Sequence, residues 1–341
     1  MSRLLVVPLT PVAVAAFLAC GGEGPVAPIP APVEPPFEIL GDVTLRSETA
    51  SCPAAADACW EVEVSCPALA ESENALLQIG EPEGTARGTV LFMTGGGGVG
   101  FWGRFGADAD RVLDELRAAG FRTVEISWTR GWLVGASGAL EGQAALACKP
   151  ATLARWIHDR FQADRPDFAF CATGNSGGSA QVSYMLSHYG LDATLDLAIP
   201  SGGPPMGRVD LGCIRADEAD QPLWYLAGGA ATIDRGFGFL EAGSGPCALG
   251  DESFRTPFAE ASVVSGEGDY HHPKTLVHFL FGSEDHSNAV PQGLAYLQRL
   301  RTEGTPLVGI DTLAGVPHAV PSARSGAERI RDLVLSECRV R

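Results

Sequence analysis

The stretch Phe168-Ala169-Phe170-Cys171-Ala172-Thr173-Gly174-Asn175-Ser176-Gly177-Gly178-Ser179 passes from an apolar strand pattern into a run of small residues. A helical pattern follows from Ser179-Ala180-Gln181-Val182. The turn between them matches G-x-S-x-G, in which a strained strand-to-helix turn lifts a serine hydroxyl above a sheet. Glycines on both sides leave room for close backbone approach. In a chain with 42 glycines the five-residue pattern alone is weak. Its place between an apolar strand and a helix makes it strong.

A serine hydroxyl is a poor nucleophile near neutral pH, so a base must take its proton and a carboxylate must orient that base. Downstream, the apolar run Thr275–Phe281 has strand length and is followed at once by Gly282-Ser283-Glu284-Asp285-His286. Asp285 therefore sits just past a strand end. Leu307–Leu313 is the next strand candidate, followed by Gly315-Val316-Pro317-His318-Ala319. A last helix runs from about Ala323 to Cys338, with Ile330, Leu333, Val334 and Cys338 at helical spacing. Ser176, Asp285 and His318 thus fall in order on three loops, each after a strand. Such an order is much less probable by accident than the serine motif alone.

With these residues in place, the chain resembles a secreted α/β-hydrolase from roughly Phe37 to the C-terminus. Tyr189-Gly190-Leu191 and Ser201-Gly202-Gly203-Pro204-Pro205 add to the resemblance. It implies a Ser-Asp-His acyl-transfer enzyme in which Ser176 attacks, His318 is the base and Asp285 orients it. The oxyanion donors it implies are the N–H of Gly177 and one from the run Gly95-Gly96-Gly97-Gly98-Val99-Gly100, with Gly96 or Gly97 the candidates. Thr94 stands where the family's glycine motif carries histidine. The reaction expected is cleavage of a carboxylic ester, small or polymeric, without metal or organic cofactor. Amide or peptide cleavage by the same triad is the second reading, and a non-catalytic binding module on the same fold is the third.

Other residues compete for each role. Glu284 and Asp311 are alternative acids, although Asp311 lies inside its strand. His158 and His188 fall in helical patterns and read as surface or helix-end residues, and His278 reads as a satisfied core histidine within a strand. His286 adjoins Asp285 and could shape the site without being the base. The pair His271-His272 could suggest a metal, but no matching Cys, His or carboxylate spacing accompanies it. The glycine run lacks the Gly-Lys-Ser/Thr ending of a phosphate loop, and the Gly95, Gly97, Gly100 spacing lacks the acidic residue of a dinucleotide site.

The early strand candidates are Phe37–Arg46, Cys59–Cys66, Leu76–Ile79, Thr89–Thr94 and Thr123–Trp128. Phe168–Ala172, Leu195–Pro200, Thr275–Phe281 and Leu307–Thr312 follow. Helical patterns at Asp108–Ala119, Pro150–Gln162, Ser179–Tyr189 and Gln292–Glu303 alternate with the later strands. This order specifies the α/β class, a mostly parallel sheet flanked by helices. Residues 37–341, roughly 305, suffice for one large domain. Between about 201 and 273 the alternation stops, as for a cap insertion over the site. Its Pro222-Leu223-Trp224-Tyr225-Leu226, Phe237, Phe239, Phe254 and Phe258 line either an apolar pocket or the cap's own core. Phe101-Trp102 are further candidates for the pocket.

Residues 1–20 hold one charge, Arg3, and an apolar stretch shorter than a membrane span, the shape of a secretory signal. The ending Phe17-Leu18-Ala19-Cys20-Gly21-Gly22 resembles a bacterial lipobox, with Cys20 the lipidated residue; cleavage by ordinary signal peptidase is the alternative. The proline-rich residues 21–36 read as an extended tether. Together they predict export across the bacterial inner membrane and anchoring at the cell envelope, with the membrane touched through the lipid alone. Nine cysteines less Cys20 leave eight, an even number suited to an oxidising compartment. Cys52, Cys59 and Cys66 cluster, so a local bridge is expected there. Cys213 and Cys247 flank the insertion, and Cys148 and Cys171 are candidates to meet, unless Cys171 is a buried thiol. The formal charge of −17 repels nucleic acid and anionic headgroups, excluding both as partners. Changing Cys20 to Ser is expected to release the protein from membranes into the soluble fraction. Membrane association unchanged in that variant would refute lipidation at Cys20.

Overall fold

The computed structural model describes residues 38–341 apart from 54–55, 163, 215–223, 225–227 and 266. The signal, Cys20 and the tether lie outside the described residues, as does Pro222-Leu223-Trp224-Tyr225-Leu226 apart from Trp224. Nine strands form one sheet: β1 (Asp42–Ser47), β2 (Ala58–Ser65), β3 (Glu73–Gly80), β4 (Gly88–Met93), β5 (Phe121–Trp128), β6 (Ala169–Asn175), β7 (Leu197–Ser201), β8 (Leu276–Gly282) and β9 (Val308–Leu313). Their spatial order is β1-β2-β3-β5-β4-β6-β7-β8-β9. The first four neighbours in that order pair antiparallel, and from β5 to β9 every pairing is parallel.

Strands β4, β6 and β7 are buried along their whole length and mostly apolar because both of their faces are covered, as a parallel sheet requires. Alternate residues serve opposite layers. Leu91 and Met93 of β4 and Phe170 and Ala172 of β6 pack into one core with helices α2 (Cys148–Gln162), α3 (Gly177–Ser187) and α4 (Ala289–Thr302). Val90 and Phe92, with Ala169 and Cys171, join the other core beneath Val112 and Leu116 of α1 (Ala107–Ala118) and Ile330 and Val334 of α5 (Arg324–Glu337). Helix α3 starts at Gly177, two residues earlier than the pattern of its apolar residues predicts. Two glycines can enter the helix at once, where a Cβ on Gly178 would lie 2.4 Å from the Met93 carbonyl.

Register brings the strand ends into line. Met93 faces Gly174, Asn175 faces Ser201, Ser201 faces Leu280 and Gly282 faces Leu313. The loops leaving β4, β6, β7, β8 and β9 therefore emerge along one rim, the ligand-binding edge of such sheets. Between β7 and β8 lie the short helices Val209–Cys213, Ala230–Gly236, Pro246–Leu249 and Arg255–Glu260. Phe237, Phe254 and Phe258 there pack on one another with ring centroids 5.2–5.9 Å apart, and Phe239 stacks edge-on to Phe254. Phe237 and Phe258 are buried in the same core as Leu91, Met93, Phe170 and Ala172, with Phe239 and Phe254 packed against it, so they join the insertion to the core of the sheet rather than forming a separate core. Trp102 likewise turns away from the rim, against Phe92 and Phe105 in the opposite layer. Among the described residues no helix is long and apolar enough to cross a membrane.

Four disulfides join Cys52–Cys59, Cys66–Cys148, Cys171–Cys338 and Cys213–Cys247. The first is the local bridge expected. The suggested meeting of Cys148 with Cys171 is wrong: Cys148 opens α2 on one layer, while Cys171 points into the other, where Cys338 waits. The Cys171–Cys338 bond closes a loop of 167 residues onto the strand that carries the serine turn. Replacing both cysteines with alanine is expected to lower stability by about 2–5 kcal/mol, read as a lower denaturant midpoint. A midpoint equal to that of the parent protein would show that the bridge adds nothing.

Candidate active site

Ser176 sits between β6 and α3 at φ 56° and ψ −118°, the strained conformation of the turn motif. Its N–H donates to the Ser201 carbonyl at 2.8 Å, tying the turn to the end of β7. Gly177 follows because nothing larger fits: a Cβ there would lie 2.0 Å from the Gly96 oxygen. The glycine run is thereby pressed onto the turn. Further bonds hold the run from outside, with Trp132 N–H on the Gly97 carbonyl (2.9 Å), Trp128 N–H on the Gly98 carbonyl (2.9 Å) and Gly100 N–H on Ser127 Oγ (2.8 Å). Thr94 Oγ1 donates to the Gly100 carbonyl at 3.0 Å.

Asp285 lies in the loop after β8 with its side chain buried, and its Oδ2 is 2.8 Å from Nδ1 of His318, in the loop after β9. The two loops are stitched together by main-chain bonds from Ser283 N–H to the Leu313 carbonyl and from Glu284 N–H to the Val316 carbonyl. Ser287 completes the pair: its N–H donates to Asp285 Oδ1 at 3.0 Å and its hydroxyl lies 3.4 Å from His318 Nδ1. Burial pulls the Asp285 carboxyl upward in pKa. Hydrogen bonds from His318 and from the hydroxyl and N–H of Ser287 outweigh it and hold the group below its ordinary 3.8.

Ser176 and His318 line the same cavity of about 250 Å³, to which Gly96, Gly177, Ser287 and Asn288 bring polar groups and Pro205, Met206 and Ile233 bring apolar ones. Gly96 reaches this cavity, whereas Gly97 packs its Cα against Gly131. The competing residues stand elsewhere. Asp311 is engaged by His278 at 2.9 Å and Arg329 at 2.7 Å, and Glu284 is exposed. His286 is 83% exposed, and His188 closes α3 as a buried, not a surface, residue. His271 is exposed while His272 is fully buried, and among the described residues no group of three His, Cys, Asp or Glu is arranged to hold a metal. Sequence reading missed Ser287, whose part depends on two loops meeting in space. A serine two residues beyond the acid was its only signal.

No protein-family model matches the chain, and no curated protein matches it. Among solved structures, a highly thermostable carboxyl esterase from Bacillus coagulans in complex with glycerol is similar at a TM-score of 0.50 and 15% identity, covering 83% of this chain and 98% of that one. An acylaminoacyl peptidase in complex with Z-Gly-Gly-Phe-chloromethyl ketone gives 0.51 at 11% identity, covering 89% of this chain and 43% of that one. The fold is that of the α/β-hydrolases. A Pyrococcus horikoshii acylaminoacyl peptidase is similar at 0.48 and 11% identity, over 88% of this chain and 42% of that one. The chain thus spans less than half the length of these peptidases.

A carboxyl whose folded-state pKa lies below its unfolded value adds stability above the unfolded value and loses it as pH falls toward the folded one. Ser287→Ala removes one bond to ionised Asp285, so the pKa of Asp285 is expected to rise toward 3.8. The variant is then less stable than the parent at neutral pH, and the gap narrows below about pH 4 as the carboxyl protonates in both. Denaturant titrations across pH 2.5–7, with roughly half-unit steps, read this directly; a gap constant with pH would contradict it.

Proposed function

We propose that this protein is a serine hydrolase that cleaves carboxylic esters through an acyl-enzyme. The observation that carries the reading is the strained Ser176 sharing one cavity with a histidine whose far nitrogen is hydrogen-bonded to a buried carboxylate. Ser176 Oγ attacks the ester carbonyl while His318 Nε2 takes its proton, then returns it to the departing alkoxide. Asp285 keeps the Nδ1 proton on its own side, which leaves Nε2 with the lone pair that the hydroxyl needs. The N–H groups of Gly177 and Gly96 receive the oxyanion, already held in place by the contact between those two glycines. Water admitted after the alcohol leaves is activated by the same histidine and releases the acid.

Esters of short, uncharged acyl groups are the proposed substrates. Support comes from the cavity's volume of about 250 Å³ and from its described lining, in which no side chain besides His318 is ionisable. A peptide terminus would find no counter-charge among those residues. The four disulfides support export to an oxidising compartment, and Cys20 is the proposed lipid attachment.

Purified protein is expected to hydrolyse p-nitrophenyl acetate, with rates falling as the acyl chain lengthens and with the matching anilide cut much more slowly. Ser176→Ala should lose about three or more orders of magnitude in kcat. Hydrolysis at the parental rate in that variant would remove the mechanism, and faster cleavage of the anilide would favour the amidase.

A further inference from the structure

Asn175, the residue before the serine, is 2% exposed and takes no part in the chemistry described above. Its Oδ1 accepts the Val320 N–H at 3.1 Å and lies 3.1 Å from the Ser201 hydroxyl, whose single proton is shared with the Gly174 carbonyl at 3.0 Å. Val320 is fully buried, lies two residues beyond His318 and is 145 residues away from Asn175 in the chain. The same N–H also bends back to the His318 carbonyl at 3.0 Å, so the turn that presents the imidazole is held at its exit by an amide oxygen from the serine's own strand. Gly202 shows how close the groups stand. A Cβ built on it would lie 3.4 Å from Asn175 Oδ1 and 3.4 Å from His318 Nδ1, and 2.5 Å from the His318 carbonyl.

The aspartate and histidine loops are joined to each other by main-chain bonds. They form one unit, and its distance from Ser176 is a separate quantity. We propose that Asn175 is a positioning residue that sets the histidine loop, and with it His318, against the serine turn. The proposal rests on Ser176 and His318 acting as nucleophile and base. Removing the acceptor leaves a buried N–H with only a bent partner, and the loop then relaxes outward. Small misplacements of a reacting pair are costly in rate, up to about 100-fold for 1 Å.

Asn175→Leu keeps the volume without the acceptor, and Asn175→Asp keeps an acceptor while adding a charge beside the imidazole. Both are compared with the parent protein on p-nitrophenyl acetate and by the rate of labelling with a fluorophosphonate. The leucine variant is expected to lose about 10- to 100-fold in kcat with KM changed less than about twofold. The aspartate variant is expected to recover most of the lost kcat. Its charge favours the imidazolium, so the acid limb of its kcat/KM profile moves to higher pH by about half a unit or more.

Parental kcat in Asn175→Leu overturns the proposal. So does an aspartate variant as slow as the leucine one, with its acid limb unmoved. Should the leucine variant fail to fold, the acid limb of Asn175→Asp decides alone. A parent protein that the fluorophosphonate does not label at Ser176 overturns the hydrolase reading itself. That result is distinct from a labelled parent whose variants behave alike.

Discussion

A serine held at φ 56° is the constraint around which the rest of the molecule is arranged. A non-glycine residue in that region costs on the order of 1–3 kcal/mol and persists only where its surroundings leave no alternative. Strand β6 supplies those surroundings, paired by β4 on one edge and β7 on the other, and buried along its whole length. The Ser201 carbonyl takes the Ser176 N–H, and Gly177 lies against Gly96 at a separation no side chain would permit. Gly174-Asn175-Ser176-Gly177-Gly178 is therefore first a packing requirement. The exposed hydroxyl is its consequence.

Parallel register turns that local constraint into a shared rim. Once β4 and β6 end opposite one another, the glycine run has to pass over the serine. Once β8 and β9 end together, their two loops have to meet. A carboxylate and an imidazole placed on those loops then bond at 2.8 Å without either strand leaving its pairing. Burial of Asp285 would by itself favour the protonated acid, and hydrogen bonds from His318 first, then from the hydroxyl and N–H of Ser287, reverse that balance. The buried charge thus depends on hydrogen bonds made locally, not on a distant cation.

Most of this was legible because strand ends coincide with abrupt changes of composition. Apolar runs stop at Gly282 and Leu313, and the chemistry-bearing residues follow within a few positions. The nine strands of the sheet and the serine, acid, histidine order were readable for that reason. What stayed hidden depends on which face a residue takes. Cys171 alternates with Phe170 and Ala172, so it belongs to the layer of Cys338, and a one-residue parity argument separates it from Cys148. Ser287 and Asn175 were missed on other grounds. Their partners lie 31 and 145 residues away, and no periodicity announces a contact between two loops.

The insertion between β7 and β8 shows why aromatic content is a poor guide to a pocket. Phe237, Phe254 and Phe258 pack on one another and, through buried Phe237 and Phe258, extend the large core of the sheet into the insertion. Buried Asp234 accepts the N–H groups of Cys247 and Ala248, and the Cys213–Cys247 bond closes the same region. With these groups committed to holding the insertion together, the cavity takes its apolar wall from Met206 and Ile233 instead. Ile233 is placed there by its carbonyl, which accepts from buried Gln143 at 2.8 Å. The wall's position is therefore set from two sides: from the body of the protein through Gln143 to Ile233, and from the insertion through the Val263 N–H, which donates to the Met206 carbonyl at 2.9 Å.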